Sequence, residues 1–232
     1  MNIIVLGPQG SGKGTQAEIL AKKYNLEHIE MGKFLREVAK LDTKLGHHIH
    51  ETINLQGKLV DDITLKKVLH VKLADLPREQ GIIFDGVPRR QDQLSYFEDA
   101  MREFGRKIGA VIDIKIPDEE SVNRISKRRI CRKSEHVLIL GKDVKSEEEK
   151  CPICGSEIFQ RIDDTPERIK TRLEIYHKDT KEVLDFYRDK GLLIEIDGVG
   201  SVEEVSDRIM KKISALVKKI SLECHPGLRA GI

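Results

Sequence analysis

Near the start of the chain runs Gly7-Pro8-Gln9-Gly10-Ser11-Gly12-Lys13-Gly14-Thr15. Glycines at 7, 10 and 12 free the backbone to curl and turn its N–H groups inward, which makes a concavity for an anion. Lys13 adds a point charge that can reach the outer oxygens of a phosphate chain. The apolar run Ile3 to Leu6 comes just before, and helical spacing follows at Ala17, Leu20, Ala21 and Tyr24. A phosphate-binding loop needs that context of strand, turn and helix, because the helix N-terminus supplies further positive potential. The hydroxyl that usually follows the lysine comes one place late, at Thr15, so Thr15 is not expected to hold Mg²⁺ directly. A second chemical signature is Cys151-Pro152-Ile153-Cys154, with Cys131 upstream and a fourth cysteine, Cys224, near the end. In a reducing compartment this spacing favours a metal over a disulfide.

The elements that must position these groups alternate. Short apolar runs lie at Ile3–Leu6, Ile82–Phe84, Val111–Ile116 and Leu192–Ile196, with a weaker one around His28 and Ile29. Helical patterns separate them. Such alternation predicts an α/β fold with a doubly wound parallel sheet, whose ligands bind at the carboxyl ends of the strands. Residues 31–60, without a strand-like run, and residues 128–164, with the cysteines and a short run at Val137 to Leu140, interrupt the pattern and are read as insertions. The segment 221–232, with Pro226 and no periodicity, is expected to be disordered.

Composition limits the rest. The 232 residues suit one large domain with small insertions. Charged residues make up 34%, but 41 Lys and Arg stand against 39 Asp and Glu, a formal +2. That balance argues against coating nucleic acid or an acidic membrane. No run is long enough to span a bilayer, and the apolar start stops at Gly7, too early for a signal peptide. A cytoplasmic protein is expected.

The loop form Gly-Pro-x-Gly-x-Gly-Lys-Gly-Thr resembles that of adenylate kinases and their nucleoside monophosphate kinase relatives, and the resemblance runs from Met1 to about residue 218. Met31-Gly32-Lys33-Phe34-Leu35-Arg36, Gly57-Lys58-Leu59-Val60 and Asp85-Gly86-Val87-Pro88-Arg89 with Gln93 resemble the acceptor-site motifs. Arg124, Arg128 and Arg129 resemble the entry to the lid. Arg161-Ile162-Asp163-Asp164, followed by Arg172 and Tyr176, resembles its exit, and Asp197-Gly198-Val199-Gly200 resembles the loop over the donor adenine. Where the family usually has Ser-Thr-Gly-Asp, this chain has Glu30-Met31-Gly32-Lys33, which removes a hydroxyl near the acceptor base and reverses a charge near the phosphates.

The resemblance implies a P-loop NTPase core with five parallel strands (residues 1–29, 61–127 and 165–220), an acceptor-binding insertion at 30–60 and a lid at 128–164. It implies reversible phosphoryl transfer from ATP to AMP, with Mg²⁺ accompanying ATP. Expected at the donor are Gly10, Ser11, Gly12, Lys13, Gly14, Thr15, Arg124, Arg128, Val137, Leu138 and Gly200. Expected at the acceptor are Met31, Arg36, Lys58, Leu59, Val60, Gly86, Val87, Pro88, Arg89, Gln93, Arg161 and Arg172. Lys13, Asp85, Arg89, Arg128, Arg161 and Arg172 are the expected catalytic set. Arginine suits such a site because its planar fork pairs with phosphate oxygens and keeps its proton. Asp85 ends a strand at the carboxyl edge, where it can orient water on Mg²⁺. Gln93 favours adenine, since a carboxamide offers a donor and an acceptor to that base. The alternative acceptors are UMP and CMP.

Many bacterial members carry a zinc knuckle of two Cys-x-x-Cys pairs in the lid. Here the first pair reads Cys131-Arg132-Lys133-Ser134, so a ligand is missing. Cys131, Cys151 and Cys154 with His136 would complete a structural Zn²⁺ site, and Ser134 is the poorer candidate. Asp163 and Asp164 are alternatively read as caps for the helix that Pro166 begins. Arg128, Arg129, Arg132 and Lys133 are alternatively read as a nucleic-acid patch, against which stands the lack of interleaved aromatics. A zinc-dependent nucleic-acid module on an inactive core, and a nucleotide sensor without turnover, are the rival functions. No nucleic acid, no membrane and a monomer are expected.

Overall fold

The computed structural model describes residues 1–52, 60–161 and 164–223, the side chains of 217–223 excepted. The chain runs β1 (Asn2–Leu6), α1 (Lys13–Tyr24), β2 (Glu27–Glu30), α2 (Met31–Val38), α3 (Lys44–His50), α4 (Asp62–Ala74), β3 (Ile82–Asp85), α5 (Gln91–Glu103) and β4 (Ile108–Lys115). It continues with α6 (Asp118–Ser126), β5 (Arg128–Cys131), β6 (Val137–Ile139), β7 (Ile158–Phe159), α7 (Pro166–Ile175), α8 (Lys181–Asp189), β8 (Leu193–Asp197) and α9 (Val202–Glu223). A π turn at Tyr176–Thr180 joins α7 to α8. Helix α9 carries the chain through Glu223, so 221–223, expected to be disordered, are helical. Residues 224–232 lie outside the described residues.

Five strands form one parallel sheet in the order β2-β3-β1-β4-β8. Alternate residues of a strand face opposite sides. In β1, Ile4 and Leu6 join the core layer shared with α2 to α5 and α8, while Ile3 and Val5 join the layer under α1 and α9. Both faces are covered, so the central strands are apolar throughout rather than alternating. Strand β4 starts earlier than its apolar run because Ile108 and Ala110 already pair with β1, across an irregularity between Asn2 and Ile3.

Order in the sheet decides where a ligand can sit. The chain goes from β1 out to β2 and back to β3 on one side, then crosses β1 to β4 on the other, so a crevice opens beyond the carboxyl end of β1 where the direction reverses. Val5 pairs with Asp85 and Leu6 with Asp113, so both acids lie beside the start of the glycine loop. Residues 128–159 build a separate antiparallel sheet in the order β6-β5-β7. The sequence showed only the apolar run at its middle. Local signals fix several helix starts. Asp61 accepts the Thr64 amide at 2.9 Å to open α4, and that bond holds its carboxyl down at about 2. Thr165, with Pro166 at the first turn, opens α7.

Candidate functional site

The loop between β1 and α1 curls as its glycines require. Gly12, with φ +85°, precedes α1 at the N-cap position, a left-handed conformation that side chains avoid. Gly14 is small for a different reason. A Cβ there would sit 3.1 Å from Asp85 Oδ2, tighter than an ordinary contact, so any side chain at this position would press on the acid beside the lysine. Ser11 is buried, and its hydroxyl has no hydrogen-bond partner among the described residues.

Lys13 is the electrostatic centre of the crevice. Burial pulls its ammonium down to about 8, Asp85 opposes that, Arg89 and Arg128 add to it, and Glu30 opposes it again. It therefore remains mostly charged at neutral pH, and negative phosphate oxygens beside it would raise its pKa. Asp85, at the end of β3, is buried; Oδ1 has no hydrogen-bond partner among the described residues, and Oδ2 lies 3.9 Å from His28 Nε2. Desolvation lowers the pKa of Arg89, with Asp85 opposing and Arg172 adding to the shift. Thus the lysine, the acid and Arg89, Arg128 and Arg172 feel one another's charge in the same crevice.

Other contacts fix the walls. Arg124 donates to Gly10 O at 3.2 Å and to Gly198 O at 3.3 Å, and so ties the glycine loop to the loop after β8. Arg172 Nη1 donates to Gln9 Oε1 at 3.1 Å. Arg36, on α2, reaches Glu135 Oε2 at 3.3 Å and Glu30 Oε1 at 3.8 Å. Gln93 is buried on α5, and its Oε1 accepts the Arg89 amide at 2.9 Å, while its Nε2 donates no hydrogen bond among the described residues. Gly200 precedes a capping box in which Ser201 and Glu204 exchange bonds with each other's amide.

In the small sheet, Cys131, His136, Cys151 and Cys154 turn their ligand atoms inward, all within 4.8 Å of one another. His136 Nδ1 lies 3.5 Å from both Cys131 Sγ and Cys151 Sγ, and Cys154 Sγ lies 3.6 Å from Cys131 Sγ. Thiolates at about 2.3 Å from a tetrahedral zinc stand roughly 3.8 Å apart, so the edges match. The Ser156 hydroxyl helps hold the Cys154 thiol down at about 6, in the direction of the thiolate, while burial pushes Cys151 up. Ser134 is exposed and outside the group.

The family model for adenylate kinase matches residues 5–192. An adenylate kinase of Archaeoglobus fulgidus is 38% identical over 220 residues, covering 95% of this chain and 99% of that protein. One of Dehalococcoides mccartyi is 40% identical over 213 residues, covering 91% and 97%, and one of Streptomyces avermitilis is 37% identical over 211, covering 90% and 96%. The chain belongs to the adenylate kinase family.

The structure places the other expected residues as follows. Met31, Val60 and Val87 bury their side chains in the main core. Leu138 packs inside the small sheet with Cys131 and Val144, which leaves exposed Val137 as the member of that pair able to face a ligand. Asp164 is no helix cap. It is buried and takes a two-pronged ion pair from Arg128, while Thr165 caps α7. Asp163, Lys58 and Leu59 lie outside the described residues. The basic run is not a free patch either: besides Arg128, Arg129 pairs with Glu147 and Arg132 with Glu157. Lys33 and Thr15 are exposed, and half-buried Arg161 lies just before α7.

The sequence reading missed Glu30 beside Lys13 and Asp113 on β4. Asp113 is fully buried, accepts the Tyr176 hydroxyl at 2.7 Å, and has its pKa raised by desolvation. A lone acid inside the run Val111–Ile116 was the available signal.

Proposed function

We propose that the chain is an ATP:AMP phosphotransferase that works with residues from one chain, as a monomer in the cytoplasm. The observation that carries the reading is the convergence of Lys13, Asp85, Arg89 and Arg128 on one crevice at the carboxyl edge of the sheet. Phosphoryl transfer needs two phosphate groups in line, their charge neutralised and water kept out, with little covalent help. Donor phosphates lie against the amides of Gly10 to Thr15 with Lys13 on the outer oxygens. Arg36 and Arg89 take the acceptor phosphate. Arg128, Arg161 and Arg172 close from the lid side, residues 128–164, over the insertion at 30–60. Arg128 then exchanges its Asp164 partner for phosphate or holds both.

Asp85 fits the role of orienting a hydrated Mg²⁺, because a buried carboxylate oxygen without a hydrogen-bond partner among the described residues is what a metal-bound water would satisfy. The ion would neutralise phosphate oxygens. The three thiols and His136 fit a structural Zn²⁺, since four protein ligands leave no open position for water. The Nε2 of Gln93 supports adenine as acceptor base, as a donor toward a ring nitrogen. Among the described residues no helix is long and apolar enough to cross a membrane.

A coupled assay offering AMP, UMP, CMP and GMP with ATP decides the acceptor. The highest kcat/KM is expected with AMP. Preference for UMP or CMP would move the chain to the other branch, and binding without turnover would make it a sensor. Metal analysis of protein offered zinc should find one equivalent, and zinc far below that would refute the Cys₃His site.

A further inference from the structure

At the opposite end of the sheet, where β4 begins at Ile108, lies a cavity of about 560 Å³ between the ends of α5 and α8. That size is in the range of small-molecule pockets, roughly 300–1,000 Å³. Arg78, Arg102, Arg106, Lys107 and Lys190 line it, with Glu98 the one acid among the lining residues. Met101, Ile108, Tyr187 and Leu192 supply apolar surface. Strand β4 has 8 residues. At about 3.3 Å per residue, it separates this cavity from the phosphate loop by roughly 26 Å.

The charges do not cancel locally. Glu98 is already satisfied, by the Tyr187 hydroxyl at 2.7 Å and by Lys190 Nζ at 2.7 Å. Arg102 is paired with Asp99 at the surface. Arg106 is buried, yet it donates only to carbonyls, those of Gln80, Leu76 and Pro77, with Glu79 the acid that acts on it through space. Carbonyls satisfy its N–H groups and leave its charge. Arg78 and Lys107 make no ion pair among the described residues, and Arg78 lies so close over Gly105 that a Cβ there would stand 2.4 Å from Nη2. The C-terminal ends of α5 and α8 offset about half a charge each. An excess of positive charge remains around an apolar floor.

We propose that this rear cavity binds a small phosphorylated anion, at a site separate from the catalytic crevice. Guanidinium and ammonium groups around a concave apolar floor suit a phosphate chain, with or without a nucleoside to cover the floor. Calorimetric titration of inorganic triphosphate tests it, in a Lys13→Met background that weakens the front site. The background should retain one equivalent, and adding Arg78→Gln with Lys107→Gln should weaken that binding by about tenfold or more. The same pair of changes in the parent chain should leave kcat and the KM values for ATP and AMP unaltered, because neither residue approaches the crevice. A gentler variant, Lys107→Gln alone, should give part of the loss if the pair fails to fold. Titration of a nucleoside triphosphate beside the inorganic one separates the sources: tighter binding shows the apolar floor in use, and equal binding assigns the site to the phosphate chain alone. Unchanged triphosphate affinity in the folded double variant, or no binding in the Lys13→Met background, would overturn the site.

Discussion

The segment after β2 and the segment that carries the cysteines both leave the main sheet, but they are held in different ways. Met31, Leu35, Val38, Ala39, Ile49 and Val60 sink into the same core as β1 and β3. The cysteine segment keeps to itself. Its apolar cluster is Cys131, Leu138, Val144, Cys151 and Ile158, and two of those five are proposed metal ligands. So small a core cannot repay the entropy of ordering three short strands. A segment anchored in the main core should melt with the domain, and one anchored on a metal should melt with the metal.

Metal removal gives the largest expected effect. Structural zinc contributes on the order of 10 kcal/mol to folding in zinc-finger peptides. Chelation should therefore strip hydrogen-exchange protection from 128–159 while leaving β1, β3 and β4 protected. An unchanged pattern would mean that the small sheet holds itself, and the contrast would fail. The matching cut on the other side is Ile49→Ala, which empties a fully buried position on α3. It should cost about 2–5 kcal/mol. The loss should appear as a lower Tm for the whole domain in one transition, equally with and without zinc. A separate early transition would show that the acceptor segment is as independent as the lid.

The same contrast explains what the sequence made readable. The phosphate loop was legible because its chemistry sits in nine adjacent residues, the central strands β1, β3 and β4 because burial on both faces made them largely apolar, and the edge strand β8 because Leu193, Ile194 and Ile196 still make a short apolar run although Glu195 and Asp197 are exposed. The fifth, β2, alternates Glu27, His28, Ile29 and Glu30 at the sheet's edge and gave only a weak signal. Met31 was read from its motif position alone, while its spacing with Leu35 and Val38 is that of a core-facing helix stripe. Pairings across sequence distance were not legible at all. Arg128 finds Asp164 from 36 residues away and Tyr176 finds Asp113 from 63, and no local pattern encodes either. The proposed fourth ligand was legible in kind, since His136 lay a short turn from Cys131, while its approach to Cys151 needed the β5–β6 turn.

Tyr176 offers a smaller, core-side control, placed just after α7 leads away from the lid. Tyr176→Phe leaves the buried Asp113 carboxylate without its donor, which should cost about 1–3 kcal/mol. The sign with pH follows from the raised pKa of Asp113. Between the unfolded value of 3.8 and the higher folded one, the native state binds more protons than the unfolded state. Stability contributed by this group therefore falls as pH rises through that window. The substitution raises the folded pKa further, so urea melts should show a larger deficit at neutral than at acid pH. A deficit independent of pH would mean that Asp113 is not the group left exposed. Zinc content should not change.

The smallest expected effect belongs to a contact that joins the two segments, Arg36 to Glu135 at 3.3 Å. Both side chains are about a third or more open to solvent, 35% and 44%, so the pair belongs with surface ion pairs that contribute about 0–1 kcal/mol. Its interest lies in what it competes with. Arg36 is the proposed partner of the acceptor phosphate, and in the structure it pairs with Glu135 of the proposed lid. Binding AMP must break that contact, so removing the carboxylate should help AMP and leave ATP alone. Glu135→Gln should lower KM for AMP by up to about fivefold, the limit set by 1 kcal/mol. The KM for ATP and the zinc content should be unchanged, and the gain should shrink in high salt as the original pair is screened. If KM for AMP instead rises, Glu135 is drawing the lid toward the acceptor segment during the reaction, and the two segments are coupled through closure rather than through competition for Arg36.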